Sequence, residues 1–128
     1  MKTAFFKNYQ HKIKNLNQLK NLINKKNKKM KLVMCHGVFD LVHPGHIRHL
    51  AYAKSKGDIL LVTITSDFHI KKGIYRPHVP QNLRALNLAA FEMVDYVLID
   101  ENATPLKNIE ILKKNYFAKG FEYTSTGL

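Results

Sequence analysis

Apolar and polar positions along this chain fall into short blocks whose period switches between that of a helix and that of a strand. From Ile13, apolar residues recur at Leu16, Leu19, Leu22 and Ile23 among lysines and asparagines, a helical spacing with one buried stripe. Lys31–His36 is a nearly continuous apolar run, as expected of a strand covered on both faces. The pattern then predicts a helix from about Pro44 to Lys56, with Ile47, Leu50, Ala51 and Ala53 on its packed side and Gly57 at its stop. Asp58–Ser66 is the clearest strand, rich in β-branched residues. Asp67–Pro80, which holds Gly73, Pro77 and Pro80, reads as an irregular functional loop. A helix over about Gln81–Met93 follows, carrying Leu83, Leu86, Leu88, Ala89 and Phe91. Val94–Ile99 is a further strand, Pro105–Asn115 a helix capped by Thr104, and Tyr116–Lys119 a last short strand. Residues 1–12 read as loosely held and Gly120–Leu128 as irregular.

Strands that alternate with helices imply right-handed crossovers, and so an α/β parallel sheet with helices on both faces. Ligands of such sheets sit at the carboxyl ends of the strands, near the switch in strand order. His36–His46, Ser66–Asp67 and Lys119–Tyr123 all lie at predicted strand ends. Three strand ends are thus expected to share one crevice.

The segment from His36 to Leu50 joins the first strand to its helix and carries the clearest chemistry. His43 and His46 flank Pro44 and Gly45. A helix start presents unpaired N–H groups and the positive end of the dipole, which suits a phosphate. Pro44 fits a first helical turn, and Gly45 lets a ligand or another segment come close. Zinc is a weaker reading, since His43, His46 and either His36 or Cys35 do not make a recognisable ligand set.

The His43-Pro44-Gly45-His46 motif, following Gly37-Val38-Phe39-Asp40-Leu41, resembles the cytidylyltransferase-like nucleotidyltransferases. The resemblance runs from about Ile13 to Tyr123 and is nearest to the heptose-phosphate adenylyltransferase and glycerol-3-phosphate cytidylyltransferase branch. It is also carried by Thr65-Ser66-Asp67, Lys72-Gly73 to Arg76-Pro77, Arg84 to Val94-Asp95, and Thr104-Pro105-Leu106 leading to Lys119-Gly120. It implies a Rossmann-like three-layer sandwich with an extra N-terminal helix. Residues 1–30 would form a basic tail and helix, and residues 31–128 a nucleotidyltransferase domain.

The implied reaction transfers a nucleotidyl group from CTP or ATP to a phosphorylated sugar or polyol and releases pyrophosphate, for glycan or lipid-headgroup precursors. On this resemblance His43, His46 and Lys72 would act on the phosphates. Gly37, Val38, Phe39, Asp40, Gly45, Ser66, Asp67, Lys119 and Gly120 would line the nucleotide crevice. Arg76 and Arg84 would bind the acceptor, although one of them could instead pair with an acid. Asp40 could equally anchor its loop, and His49 is assigned no role. Mg²⁺ is implied by the triphosphate, with no protein ligand named, and a homodimer fits. The alternative is a shortened nucleotide-binding module without activity.

Two departures bear on the substrate: His36 stands where the heptose branch usually has Asn, and Asn82 where it has Glu. The family's further strand and last helix, with its Ser/Thr-rich phosphate motif, are not found before Leu128. The expectation is therefore a piece of a longer protein, or a site completed by a second chain.

Composition narrows the picture further. At 128 residues, the chain suits one domain. The formal charge of +12 is lopsided: of 21 Lys and Arg, ten lysines fall within residues 1–31, leaving 11 against nine acids. Without a basic stripe on the body, specific nucleic-acid binding is not expected. Cys35 is the only cysteine, which rules out an internal disulfide, and no apolar run approaches the ~20 residues that span a bilayer. A cytoplasmic location is the expectation.

Overall fold

The computed structural model describes residues 9–26, 28–70, 77–112 and 116–117. Along the chain these form α1 (Leu16–Lys25), β1 (Leu32–Gly37), α2 (Pro44–Lys54), β2 (Ile59–Thr65), a 3₁₀ turn (Asp67–His69), α3 (Gln81–Ala89), β3 (Tyr96–Asp100), α4 (Leu106–Leu112) and β4 (Tyr116–Phe117). The strands make one parallel sheet in the order β3-β2-β1-β4. The register runs from Leu32 opposite Ile59 to Gly37 opposite Ile64, and from Leu61 opposite Tyr96 to Thr65 opposite Asp100. Gly37, Thr65 and Asp100 consequently end their strands along one edge. The order reverses between β1 and β4, where such sheets hold their ligands.

Period-two alternation divides the core into two layers. Val33, Cys35, Leu60, Val62, Ile64 and Val97 face α2 and α3, where Leu50, Ala53, Ala85, Leu88 and Ala89 cover them. Leu32, Met34, Leu61 and Leu98 face α1 and α4, against Leu19 and Leu112. The expected three-layer sandwich is what forms. No helix among the described residues is long and apolar enough to cross a membrane.

The N-terminal segment is held more firmly than its composition suggests. Ile13 makes a parallel bridge to Val97, and Lys12 Nζ donates to the Phe91 carbonyl at 3.0 Å. Asn15 and Gln18 cap α1 reciprocally, the Gln18 amide donating to Asn15 Oδ1 at 2.8 Å and the Asn15 amide to Gln18 Oε1 at 2.9 Å.

Three local expectations are corrected. The helix expected to reach Met93 stops at Ala89, because a turn closed by Val94 N–H on the Phe91 carbonyl (3.2 Å) leads into β3. Helix α2 ends at Lys54 with Ser55 as C-cap, so Gly57 is not its stop. Gly57 is needed for space, since a Cβ there would lie 2.5 Å from Val33 Cγ2 and 2.8 Å from the Lys31 carbonyl oxygen. Finally, the inner stripes of α2 and α3 are not those that apolar spacing alone selects: Ala51 and Leu83 are exposed, while Arg84 is fully buried.

Candidate active site

At the start of α2 the chain wires its two signature imidazoles into its own main chain. His43 is the N-cap residue and Pro44 the first helical residue, as the sequence predicts. The Gly45 amide donates to His43 Nδ1 at 3.0 Å, and the His43 amide donates to His46 Nδ1 at 3.1 Å. A ring nitrogen that accepts carries no proton, so each neutral imidazole keeps its hydrogen on Nε2. The rings lie 4.1 Å apart, centroid to centroid, at 48°. Each therefore carries an Nε2–H donor at a helix start, the arrangement that best matches phosphate oxygens.

Glycines make this wiring possible. A Cβ on Gly45 would stand 2.7 Å from His43 Cε1. The space at Gly45 is thus taken by the His43 ring rather than kept for a ligand. Phe39 adopts a left-handed backbone, φ 52°, and its ring turns back over Gly37, where a Cβ would lie 2.8 Å from Phe39 Cε2. That ring stands 5.3 Å from the His46 imidazole and supports it from the core side. Gly37 is small for the sake of Phe39.

The other expected residues divide into anchors and a loop. Asp40, 6% exposed, accepts from the amides of Val79 (Oδ1, 2.9 Å) and His78 (Oδ2, 2.9 Å). Of its two possible roles, the geometry displays the anchoring one. Asp67 and Gln81 bond reciprocally, Asp67 N–H to Gln81 Oε1 at 2.9 Å and Gln81 N–H to Asp67 Oδ2 at 3.2 Å. These bonds hold the segments on either side of residues 71–76.

Arg84 requires a correction. It was expected to meet the acceptor or to pair with an acid; it has no exposed surface, and the second reading is the one displayed. Its Nε donates to the Val79 carbonyl (2.9 Å), and Nη1 to those of Val38 and Thr65 (2.8 Å each). Nη2 pairs with Asp67 Oδ1 at 2.6 Å. With four of five donors spent on protein, it ties the ends of β1 and β2 to the segment that enters α3 and cannot reach a substrate in this arrangement. It is a positioning residue.

Ser66 follows β2, 1% exposed, its amide donating to the Asp100 carbonyl at 3.1 Å and its Oγ without a partner among the described residues. Lys72, Arg76, Lys119 and Gly120 lie outside the described residues. Sequence reasoning missed Gln81, whose only signal is its place at a helix start after Pro80. It also assigned His49 no role. His49 Nε2 lies 3.8 Å from the buried Cys35 Sγ, on the half-buried side of the helix.

A model of the cytidylyltransferase-like family matches residues 34–126. The chain belongs to that family. It is 38% identical over 125 residues to the bifunctional protein HldE of Campylobacter concisus, covering 96% of this chain and 26% of the relative. To the bifunctional protein HldE of Geobacter metallireducens it is 42% identical over 120 residues, covering 91% of this chain and 24% of the relative. The chain thus spans about a quarter of the length of the curated relatives it matches. Among solved structures, a lipopolysaccharide core biosynthesis protein from Thermoplasma volcanium superposes with a TM-score of 0.60 at 28% identity, over 69% of this chain and 72% of the other.

Proposed function

We infer that this cytidylyltransferase-like domain transfers a nucleotidyl group from CTP or ATP to a phosphorylated sugar or polyol. The observation that carries the reading is the wiring of the imidazole pair, which keeps both Nε2 atoms as donors at the mouth of α2. An oxygen of the acceptor phosphate attacks the α-phosphorus in line. The new P–O bond forms as the bond from the α-phosphorus to the bridging oxygen breaks, and pyrophosphate leaves with that electron pair. No protein nucleophile is required. His43 and His46 donate to the oxygens on which charge builds, while the dipole of α2 adds to the same field.

Magnesium enters as part of the nucleotide substrate, held chiefly by triphosphate oxygens. The described residues offer no group of three His, Cys, Asp or Glu side chains to cage it. Lys72 and Arg76 are assigned to phosphate neutralisation, and Lys119 and Gly120 to the nucleotide. The reading also takes in a cytoplasmic location and a homodimer.

The heptose-phosphate resemblance, and the lipopolysaccharide role named for the Thermoplasma volcanium protein, put sugar phosphates first among acceptors. Pyrophosphate release measured with CTP and with ATP, over a panel of sugar and polyol phosphates, tests the reading. Turnover with one nucleotide and one acceptor class is expected. Nucleotide binding by calorimetry with no turnover on any acceptor returns the protein to a binding module.

A further inference from the structure

The edge of the sheet remote from the imidazole pair carries the densest run of charge in the chain. Ile13 bridges Val97 in parallel and β1 pairs β2 in parallel, so the chain returns through α1, and again through α2, to the amino ends of the strands. There Lys25, Lys26, Lys28, Lys29 and Lys31 follow one another closely, and residues 1–31 hold no acid. Lys25, Lys28 and Lys31 are exposed. This link is folded against the body: Lys26 Nζ donates to the Met30 carbonyl at 2.7 Å, and the Lys31 carbonyl accepts from the amides of Asp58 (2.9 Å) and Ile59 (3.1 Å). It lies beside the turn between α2 and β2, where a Cβ on Gly57 would stand 3.3 Å from Lys31 Cβ. That turn adds the exposed Lys56.

The acids of this edge do little to offset those lysines. Asp58 Oδ2 accepts from the Lys31 amide (2.8 Å), and Asp95 Oδ2 from Lys54 Nζ (2.6 Å) and the Leu60 amide (2.7 Å). Glu92, exposed, precedes β3, which β2 separates from β1. Two apolar groups share the surface: Met30 is 36% and Tyr52 56% exposed, with Lys56 Nζ 4.7 Å above the Tyr52 ring. Lysine stems can lie along apolar material while their ammonium groups stay in water, and a phenol ring suits a membrane–water interface. None of Arg48, Arg76 and Arg84 falls in this link or this turn, whereas nucleic-acid surfaces favour the guanidinium.

We propose that this amino edge, Lys25 to Lys31 together with Tyr52 and Lys56, docks the protein on an anionic phospholipid surface. The ammonium groups meet lipid phosphates, and Met30 and Tyr52 enter the headgroup layer. His43 and His46 stand at the start of α2, the other end of the sheet, so the docked protein keeps its candidate active site turned to water and open to soluble substrates. Docking of this kind is independent of which reaction the carboxyl edge performs.

The test sediments the 128-residue chain with phosphatidylglycerol–phosphatidylcholine vesicles and with pure phosphatidylcholine vesicles, and titrates it with single-stranded RNA. Binding is expected to the anionic vesicles and not to the neutral ones, falling steeply as salt is raised from about 0.05 M to about 0.5 M. Each lysine near an anionic surface is worth about fivefold in partition. Lys28→Gln should therefore lose about fivefold, and Lys25→Gln, Lys28→Gln, Lys31→Gln and Lys56→Gln combined more than about 100-fold. Met30→Ser with Tyr52→Ser should lose about tenfold on vesicles and nothing on RNA. Lys107→Gln, exposed in the first turn of α4 at the carboxyl edge, is the charge control and should leave vesicle binding unchanged. Thermal melts and pyrophosphate release without vesicles should be alike in all these proteins, which separates lost docking from lost fold. No binding to anionic vesicles overturns the docking surface, as does an equal loss from Lys107→Gln and Lys28→Gln. RNA bound more tightly than vesicles, with Met30→Ser and Tyr52→Ser without effect on either, also overturns it. Vesicle binding with the expected losses but no pyrophosphate release from any protein leaves the docking surface standing and removes only the transferase reading.

Discussion

The chain places two sets of basic side chains at the strand ends, and they are spent in opposite ways. Arg84 is enclosed, with donors directed to Val38, Thr65, Val79 and Asp67. His43 and His46 turn their accepting nitrogens to the main chain and keep a donor each on Nε2. Position in the sequence would send all three to a substrate. What separates them is which atoms are already bonded. A guanidinium with donors in several directions joins loops; an imidazole with one nitrogen fixed becomes a single aimed donor.

The largest effect should come from breaking the guanidinium side. Arg84→Met would leave three carbonyls and Asp67 without their donor inside the fold. The expected cost is about 3–5 kcal/mol of stability, read from denaturant melts. Arg84→Lys should recover little, because one ammonium cannot reach all four acceptors. A variant that melts within about 1 kcal/mol of wild type would refute the anchoring role.

Next comes the imidazole side. His43→Ala and His46→Ala are each expected to lower kcat by about 10²–10³-fold, the usual effect of losing one donor to developing charge. The exposed His43 should leave the melt nearly unchanged, so activity and stability move apart, in contrast to Arg84. Parallel loss of both would make the histidines structural.

Asp40→Ala removes the acceptor of two amides and should cost about 1–3 kcal/mol. Hydrogen exchange should accelerate at His78 and Val79 ahead of the sheet core. Unchanged exchange there would dissociate Asp40 from the loop.

The smallest effect tests the wiring itself. Gly45→Ala pushes the His43 ring from its place, because the added carbon would meet Cε1 at 2.7 Å. Stability should hardly move, since the ring can swing away and alanine favours the helix by about 0.5–1 kcal/mol. Turnover should fall by about tenfold, roughly one lost hydrogen bond. Ring ¹⁵N spectra should show His43 and His46 of the wild type with the proton on Nε2, and the variant should lose that signature at His43. A wild-type proton on Nδ1 of either ring would overturn the assignment.

Period and composition alone determined the order of elements and the parallel sheet with helices on both faces. Those depend on alternation and helical spacing, which are local properties of the chain. The His43–His46 motif was legible for the same reason: a helix start with Pro44 and Gly45 is a local structure. Tertiary structure alone decided how the polar residues were used. Arg84, His46 and His49 occupy inward-facing helix positions, where spacing rules expect apolar side chains and therefore looked instead to Leu83 and Ala51. The bonds of Asp40 to residues 78 and 79, and those of His36 to Thr63 and Thr65, join segments separated by dozens of residues. A donor's partner is chosen by proximity in space, and one-dimensional spacing carries no information about it.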